Sequence, residues 1–92
     1  MKKKKDGWVY VISDGDAFKI GVSKNPQKRL KSLQTGNKKK LTLEFCEHKN
    51  EPYKIETIVH RSLNEYRTEG EWFEGCSFND IRIALMLVTE YD

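Results

Sequence analysis

The sequence predicts a small α+β domain: a three-stranded antiparallel sheet flanked by three helices. Three observations predict it. Two β-rich runs, Trp8–Ser13 and Ala17–Ser23, are separated by the turn-forming triplet Asp14-Gly15-Asp16. Leu41–Glu47 alternates Leu41, Leu43 and Phe45 with Thr42, Glu44 and Cys46, the period of a half-buried strand. The remaining segments carry helix-start residues followed by apolar positions at helical spacing.

In order along the chain, the two runs form a hairpin. Asn25-Pro26 then reads as an N-cap with proline in the first turn, opening a helix over 26–34 whose Leu30 and Leu33 face the core. Gly36-Asn37 stops it. After the third strand, Asn50 caps a second helix over 52–66, with Ile55, Ile58, Val59, Leu63 and Tyr66 near a 3.6 period. Gly70 ends that stretch. Ser77-Phe78-Asn79-Asp80 has the form of a capping box, with Asp in place of Glu. It opens a last helix carrying Ile81, Ile83, Ala84, Leu85, Leu87 and Val88, apolar nearly all round and therefore core or a homodimer face. Helices must cover the apolar surface of so small a sheet.

The 92 residues suffice for one domain, expected over 7–92 behind a basic tail at 1–6. Hydrophobic residues make up 37% of the chain, enough for a compact core. No apolar run nears the ~20 residues of a membrane helix, and Lys2–Lys5 is not followed by the apolar stretch of a signal peptide. A cytoplasmic location with no membrane partner is expected. Cys46 and Cys76 form no C-x-x-C pair and read as free thiols.

Net charge is +3 and pI about 8.9, a mild excess that fits nucleic acid without demanding it. Its distribution says more. Lys2–Lys5 and Lys38, Lys39, Lys40 are runs, and Lys24, Lys28, Arg29 and Lys31 crowd one stretch. Each also reads as a solvated surface; together they are candidates for phosphate contact, with the N-terminal run as a flexible arm.

Five residues are candidates for chemistry: Tyr10, Lys19, Arg29, His60 and Glu71. An unperturbed phenol at ~10 is a poor base, and a nearby cation lowers it. A turn centred near Gly15 pairs Tyr10 with a residue near position 20, bringing Lys19 close. Arg29 offers a guanidinium suited to bidentate phosphate contact. Glu71, beside Trp72 and Phe73, offers an oxygen ligand for a hard cation such as Mg²⁺, with Glu69 and Glu74 as competitors. Glu56 and His60, four residues apart in the second helix, share a face and read either as an acid–base pair or as a stabilising pair. No third ligand accompanies them, so zinc is not expected.

The order Val9-Tyr10, Lys19-Ile20-Gly21, Arg29-Leu30, Leu33-Gln34-Thr35-Gly36-Asn37, Glu56 with His60, and Gly70-Glu71-Trp72-Phe73 resembles the GIY-YIG nuclease superfamily. The match is to its small branch of T5orf172 or meiotically up-regulated gene 113 type. The resemblance implies a tyrosine base at Tyr10, a phosphate-binding arginine at Arg29, and a single Mg²⁺ or Mn²⁺ held by Glu71, with Gly21 and Glu56 supporting. Lys19 stands where the second motif has tyrosine, as is common in this branch. Val22 stands where many members carry a basic residue, Leu33 where others place histidine or tyrosine, and Asn79 is a distant counterpart of the late asparagine. The implied activity is a metal-dependent DNA endonuclease leaving 5′-phosphate and 3′-hydroxyl ends. The alternative is a nucleic-acid-binding or protein-interaction module of the same fold without turnover. A weaker third reading is a modulator of another enzyme, acting through the apolar last helix.

Overall fold

The computed structural model describes residues 6–88. The Lys2–Lys5 run lies outside the described residues, and the tail expected at 1–6 is represented only by Asp6.

The hairpin forms where the turn residues place it. Strand β1 spans Gly7–Ser13 and β2 spans Ala17–Ser23. The turn is closed by its own side chains: Asp14 Oδ1 accepts from the N–H groups of Asp16 and Ala17 at 2.9 and 2.7 Å. Gly15 takes a φ of 99°, which a side chain would strain. Strand β3, Thr42–Lys49, pairs antiparallel with the other edge of β1.

The sheet has four strands rather than the expected three, in the order β3-β1-β2-β4. Strand β4, Trp72–Glu74, pairs with β2 through Ala17↔Glu74, Phe18↔Phe73 and Lys19↔Trp72. Three residues are too few for alternation to be legible in a sequence. The strand is held because Phe73 is fully buried in the core while its backbone caps the edge of β2.

A second correction concerns β3. Its apolar residues do not share one face. The pairing with β1 slips between Val11 and Ile12, so that Val11 faces Phe45 while Ile12 faces Leu43, and Glu44 is the extra residue. This bulge sends Phe45 and Leu43 to opposite sides of the sheet. Phe45 joins Val9, Val11, Ile20 and Phe73 under the last two helices. Leu43 joins Tyr10, Ile12 and Leu41 under the first.

Helix α1, Pro26–Thr35, starts as expected: Lys28 N–H donates to Asn25 Oδ1 at 3.1 Å, and Pro26 fills the first turn. Its Leu30 and Leu33 pack on the Tyr10 face. Helix α2, Pro52–Ser62, is shorter than the 52–66 expected, and its N-cap is Glu51 rather than Asn50. Beyond Leu63 the chain tightens into a single 3₁₀ turn, Asn64–Tyr66, with Tyr66 N–H donating to Leu63 O. The tightening keeps Tyr66 packed against the core. Helix α3, Phe78–Val88, opens on the reciprocal bonds its sequence promised: Asp80 N–H to Ser77 Oγ at 3.1 Å and Ser77 N–H to Asp80 Oδ2 at 2.8 Å. Its Ile81, Ala84, Leu85 and Val88 are buried, while Ile83, Met86 and Leu87 are exposed.

If β4 is a core strand, Phe73→Ala should lower unfolding stability by about 3–5 kcal/mol. Met86→Ala, on the exposed side of α3, should change it by less than ~0.5 kcal/mol. Urea denaturation of both variants checks this pair.

Candidate functional site

The site is built around an absent side chain. Tyr10 on β1 lies directly opposite Gly21 on β2, one residue beyond the partner expected from the turn. A Cβ on Gly21 would fall 2.5 Å from the Tyr10 hydroxyl oxygen, 2.7 Å from its Cζ and 3.1 Å from Glu71 Oε1. The phenol therefore lies across the strand, and its oxygen and the Glu71 carboxylate meet above the bare glycine. Gly21 serves here for close approach, not for an unusual backbone angle.

Lys19 is two residues before Gly21 on the same face of β2. Its Nζ is 3.1 Å from Glu71 Oε1 and 5.8 Å from the centroid of the Trp72 ring. The ammonium thus belongs to Glu71 rather than to Tyr10. The phenol is pushed up to about 12, first by burial and then by the Glu71 charge; Arg29 opposes the rise. The expectation that Lys19 lowers the phenol is corrected: its charge is met by the carboxylate that raises Tyr10. Arg29 stands exposed on α1, within electrostatic reach of the phenol.

Glu56 and His60 reach the same place from the opposite face. Strand β4 begins only at Trp72, so the edge of β2 beyond Lys19 has no complete strand beside it. Two groups close that edge at Ile20. The Ile20 N–H donates to Glu71 O at 3.2 Å, and the Ile20 carbonyl accepts from His60 Nε2 at 2.8 Å. The His60 ring also sits edge-on to Phe73, with centroids 5.1 Å apart. Because Nε2 donates, Nδ1 is the nitrogen left to accept a proton in the neutral ring. One turn earlier on α2, the Glu56 carboxyl hydrogen-bonds Glu71 and is pushed up to about 7, by burial first and then by the Glu71 charge. Lys19 and Arg67 oppose that shift.

The expected basic residues divide. Lys24 pairs with Asp6, and Lys39 pairs with Asp16 at 2.7 Å and Asp14 at 3.9 Å. Lys28, Lys31, Lys38 and Lys40 are exposed and form no ion pair among the described residues. The structure also brings in residues that the sequence did not single out. Arg61, Asn64 and Arg67, with Thr57, line an open cleft of about 470 Å³ beside Glu56 and His60. Arg61 follows His60 directly, but its relation to Glu71 depends on the 3₁₀ turn.

Among the described residues no group of three His, Cys, Asp or Glu side chains is placed to hold a metal by protein ligands alone. A carboxylate at Glu71, a second carboxyl at Glu56 and a phenol oxygen do meet at one point. That all-oxygen donor set suits a hard cation that keeps several waters, and not a soft one. Both cysteines are free: Cys46 is exposed and Cys76 buried. No helix among the described residues is long and apolar enough to cross a membrane.

The model of the T5orf172 domain matches residues 7–88, and the chain belongs to that family. The chain is also similar to the putative KilA-N domain-containing protein 315L of Invertebrate iridescent virus 6. The two are 34% identical, over 74% of this chain and 33% of that protein. The chain thus spans about a third of that relative's length. No solved structure matches it.

The raised Glu56 carboxyl has a consequence for stability. Folded, it keeps a proton up to about 7, whereas an ordinary glutamate loses it near 4.5. The folded state binds more protons in that window, so this group's contribution is full below 4.5 and is lost as pH rises through 7. Asp6 and Asp14 are shifted downward and act below their usual 3.8, outside the window. Without divalent metal, the melting temperature should fall from pH 5 to pH 8 in the wild type and stay flatter in Glu56→Gln. Equal slopes would place the Glu56 proton elsewhere.

Proposed function

We propose that this T5orf172 domain is a divalent-metal-dependent DNA endonuclease of GIY-YIG type. The reading rests chiefly on one observation: the Tyr10 hydroxyl and the Glu71 carboxylate converge on the point left free by Gly21. In this reading Glu71 holds a single Mg²⁺ or Mn²⁺. When bound, the ion would neutralise phosphate charge and offset the carboxylate charge that raises Tyr10.

Hydrolysis of a phosphodiester needs a proton acceptor for the attacking water, charge to meet the developing negative oxygens, and fixed geometry. Tyr10 is the acceptor as its phenolate: the phenol proton passes first to solvent, a loss that Arg29 and a cation at Glu71 would favour, and the phenolate oxygen then takes the proton of the water. Its ring is locked by burial and by the strand beneath it, so its oxygen has one place to be. Arg29 meets a phosphate oxygen from the α1 side, where its fork can make two bonds. Lys19 orients Glu71 through their ion pair and adds a second cation beside it. His60 holds the Ile20 carbonyl, fixing β2 where Gly21 must stay clear, and keeps Nδ1 for proton transfer near the leaving group. Lys28, Lys31, Lys38 and Lys40 contribute phosphate contacts without chemistry.

A second reading keeps the same fold as a nucleic-acid-binding or protein-interaction module. A phenol held at about 12 is a weak acceptor, and that favours it. A homodimer through α3 remains a proposal, resting on the exposure of Ile83, Met86 and Leu87.

Supercoiled plasmid incubated with the protein and Mg²⁺ or Mn²⁺ separates the two readings. The wild type should nick it, and EDTA should stop the reaction. Glu71→Ala should reduce the rate by ~10²-fold or more, the scale on which loss of one well-placed electrostatic group is felt. It should leave melting nearly unchanged. Nicking at the wild-type rate by Glu71→Ala would remove Glu71 from the reaction.

A further inference from the structure

Beyond His60, the cleft along α2 is not used by the chemistry above, although it adjoins it. It is open, about 470 Å³, and lined by Glu56, Thr57, His60, Arg61, Asn64 and Arg67. Two of these lining residues also touch the site: Glu56 bonds Glu71, and His60 bonds the Ile20 carbonyl. The cleft therefore runs directly into the site.

Its charge is lopsided. The one acidic residue in the lining, Glu56, turns its carboxyl to Glu71. Arg67 lies within electrostatic reach of that carboxyl, but neither arginine forms an ion pair among the described residues. Arg67 donates Nε to the Gly70 carbonyl, which fixes the guanidinium plane and leaves its other N–H groups to bind. Arg61 is exposed, and its side chain makes no bond among the described residues. Asn64 adds an amide. Guanidinium forks with a neutral hydrogen-bonding neighbour suit phosphate oxygens. An open trough of this kind fits a chain of phosphates better than an enclosed small molecule.

The placement of the two helices adds direction. Helix α1 packs on the Tyr10 face of the sheet and α2 on the other. Lys28, Arg29 and Lys31 thus stand on one side of the Tyr10–Glu71 point, and Arg61 and Arg67 on the other. Arg29 is within electrostatic reach of Tyr10 and Arg67 within that of Glu56, so a strand with one phosphate at Glu71 would have a guanidinium on either side.

We propose that the α2 cleft is a second phosphate subsite, in which Arg61 and Arg67 grip the nucleic-acid backbone next to the phosphate at Glu71. This inference rests on the reading of the protein as acting on DNA, but not on turnover. It makes the cleft a clamp that fixes which bond reaches Tyr10, with the contacts going to the backbone and not to the bases.

The test measures binding apart from cleavage. A fluorescently labelled DNA duplex is titrated with the 92-residue protein in EDTA at several salt concentrations. The proteins are wild type, Arg61→Gln, Arg61→Gln/Arg67→Gln and, as a reference for the α1 side, Lys28→Gln/Lys31→Gln. Each lost phosphate contact should reduce the slope of log affinity against log salt by about 0.9. The single arginine variant should therefore lose about 0.9, and the double variant about 1.8. Arg61→Lys/Arg67→Lys, which keeps the charge, should retain most of the slope. Arg61→Gln removes no bond within the described fold, so it stays informative even if the double variant is less stable. An unchanged slope in Arg61→Gln and in a folded double variant overturns the proposal, and so does failure of the wild type to bind DNA. A slope lost as expected in a protein that never nicks plasmid would uphold the subsite and sink the nuclease reading. The converse pair of results would do the reverse.

Discussion

The structure depends on one position carrying no side chain. At Gly21 the space for a Cβ is already taken by the Tyr10 phenol, with the Glu71 carboxylate at its margin. Any larger residue would force apart two groups that burial and an ion pair otherwise hold together. The register of the first hairpin, the length of β4 and the position of α2 all bear on whether that space stays filled in this way.

The length of β4 matters because it stops short. A longer strand would satisfy the edge of β2 and cover the site. Instead, Glu71 O accepts from the Ile20 N–H and His60 Nε2 donates to the Ile20 carbonyl, one from a loop and one from a helix. The same two bonds that close the sheet edge also bring Glu71 and the Glu56–His60 face of α2 beside Gly21. Fold and candidate site therefore share hydrogen bonds, and the carboxyl of Glu56 is raised because this meeting point is partly desolvated and already carries Glu71.

Much of this was legible in residues with local meaning. Asp14-Gly15-Asp16, Asn25-Pro26 and Ser77 with Asp80 announce a turn and two helix starts through bonds made within a few residues, and the structure shows those bonds. Non-local features were not legible. The β3 bulge exists because Phe45 is drawn to one core and Leu43 to the other, a choice that depends on partners 34 and 31 positions away in β1 (45 − 11 and 43 − 12). Strand β4 is three residues long and is defined by what it caps. Lys19 and Glu71 could each be singled out, but not their pairing, which turns the lysine from a neighbour of the phenol into a partner of the carboxylate. Arg67 carries no sequence signal, because its place beside the site depends on where α2 gives way to the 3₁₀ turn, and Arg61 has none beyond its position after His60.

In the proposed reaction the Tyr10 phenolate, held over Gly21, takes the proton of the attacking water. Single-turnover cleavage of a duplex in Mn²⁺ by Tyr10→Phe tests it most directly, because the variant removes one oxygen and leaves the packing of the ring in place. The rate should fall by ~10²–10⁴-fold, with DNA affinity and melting close to wild type. A Tyr10→Phe protein that cleaves at the wild-type rate would contradict it.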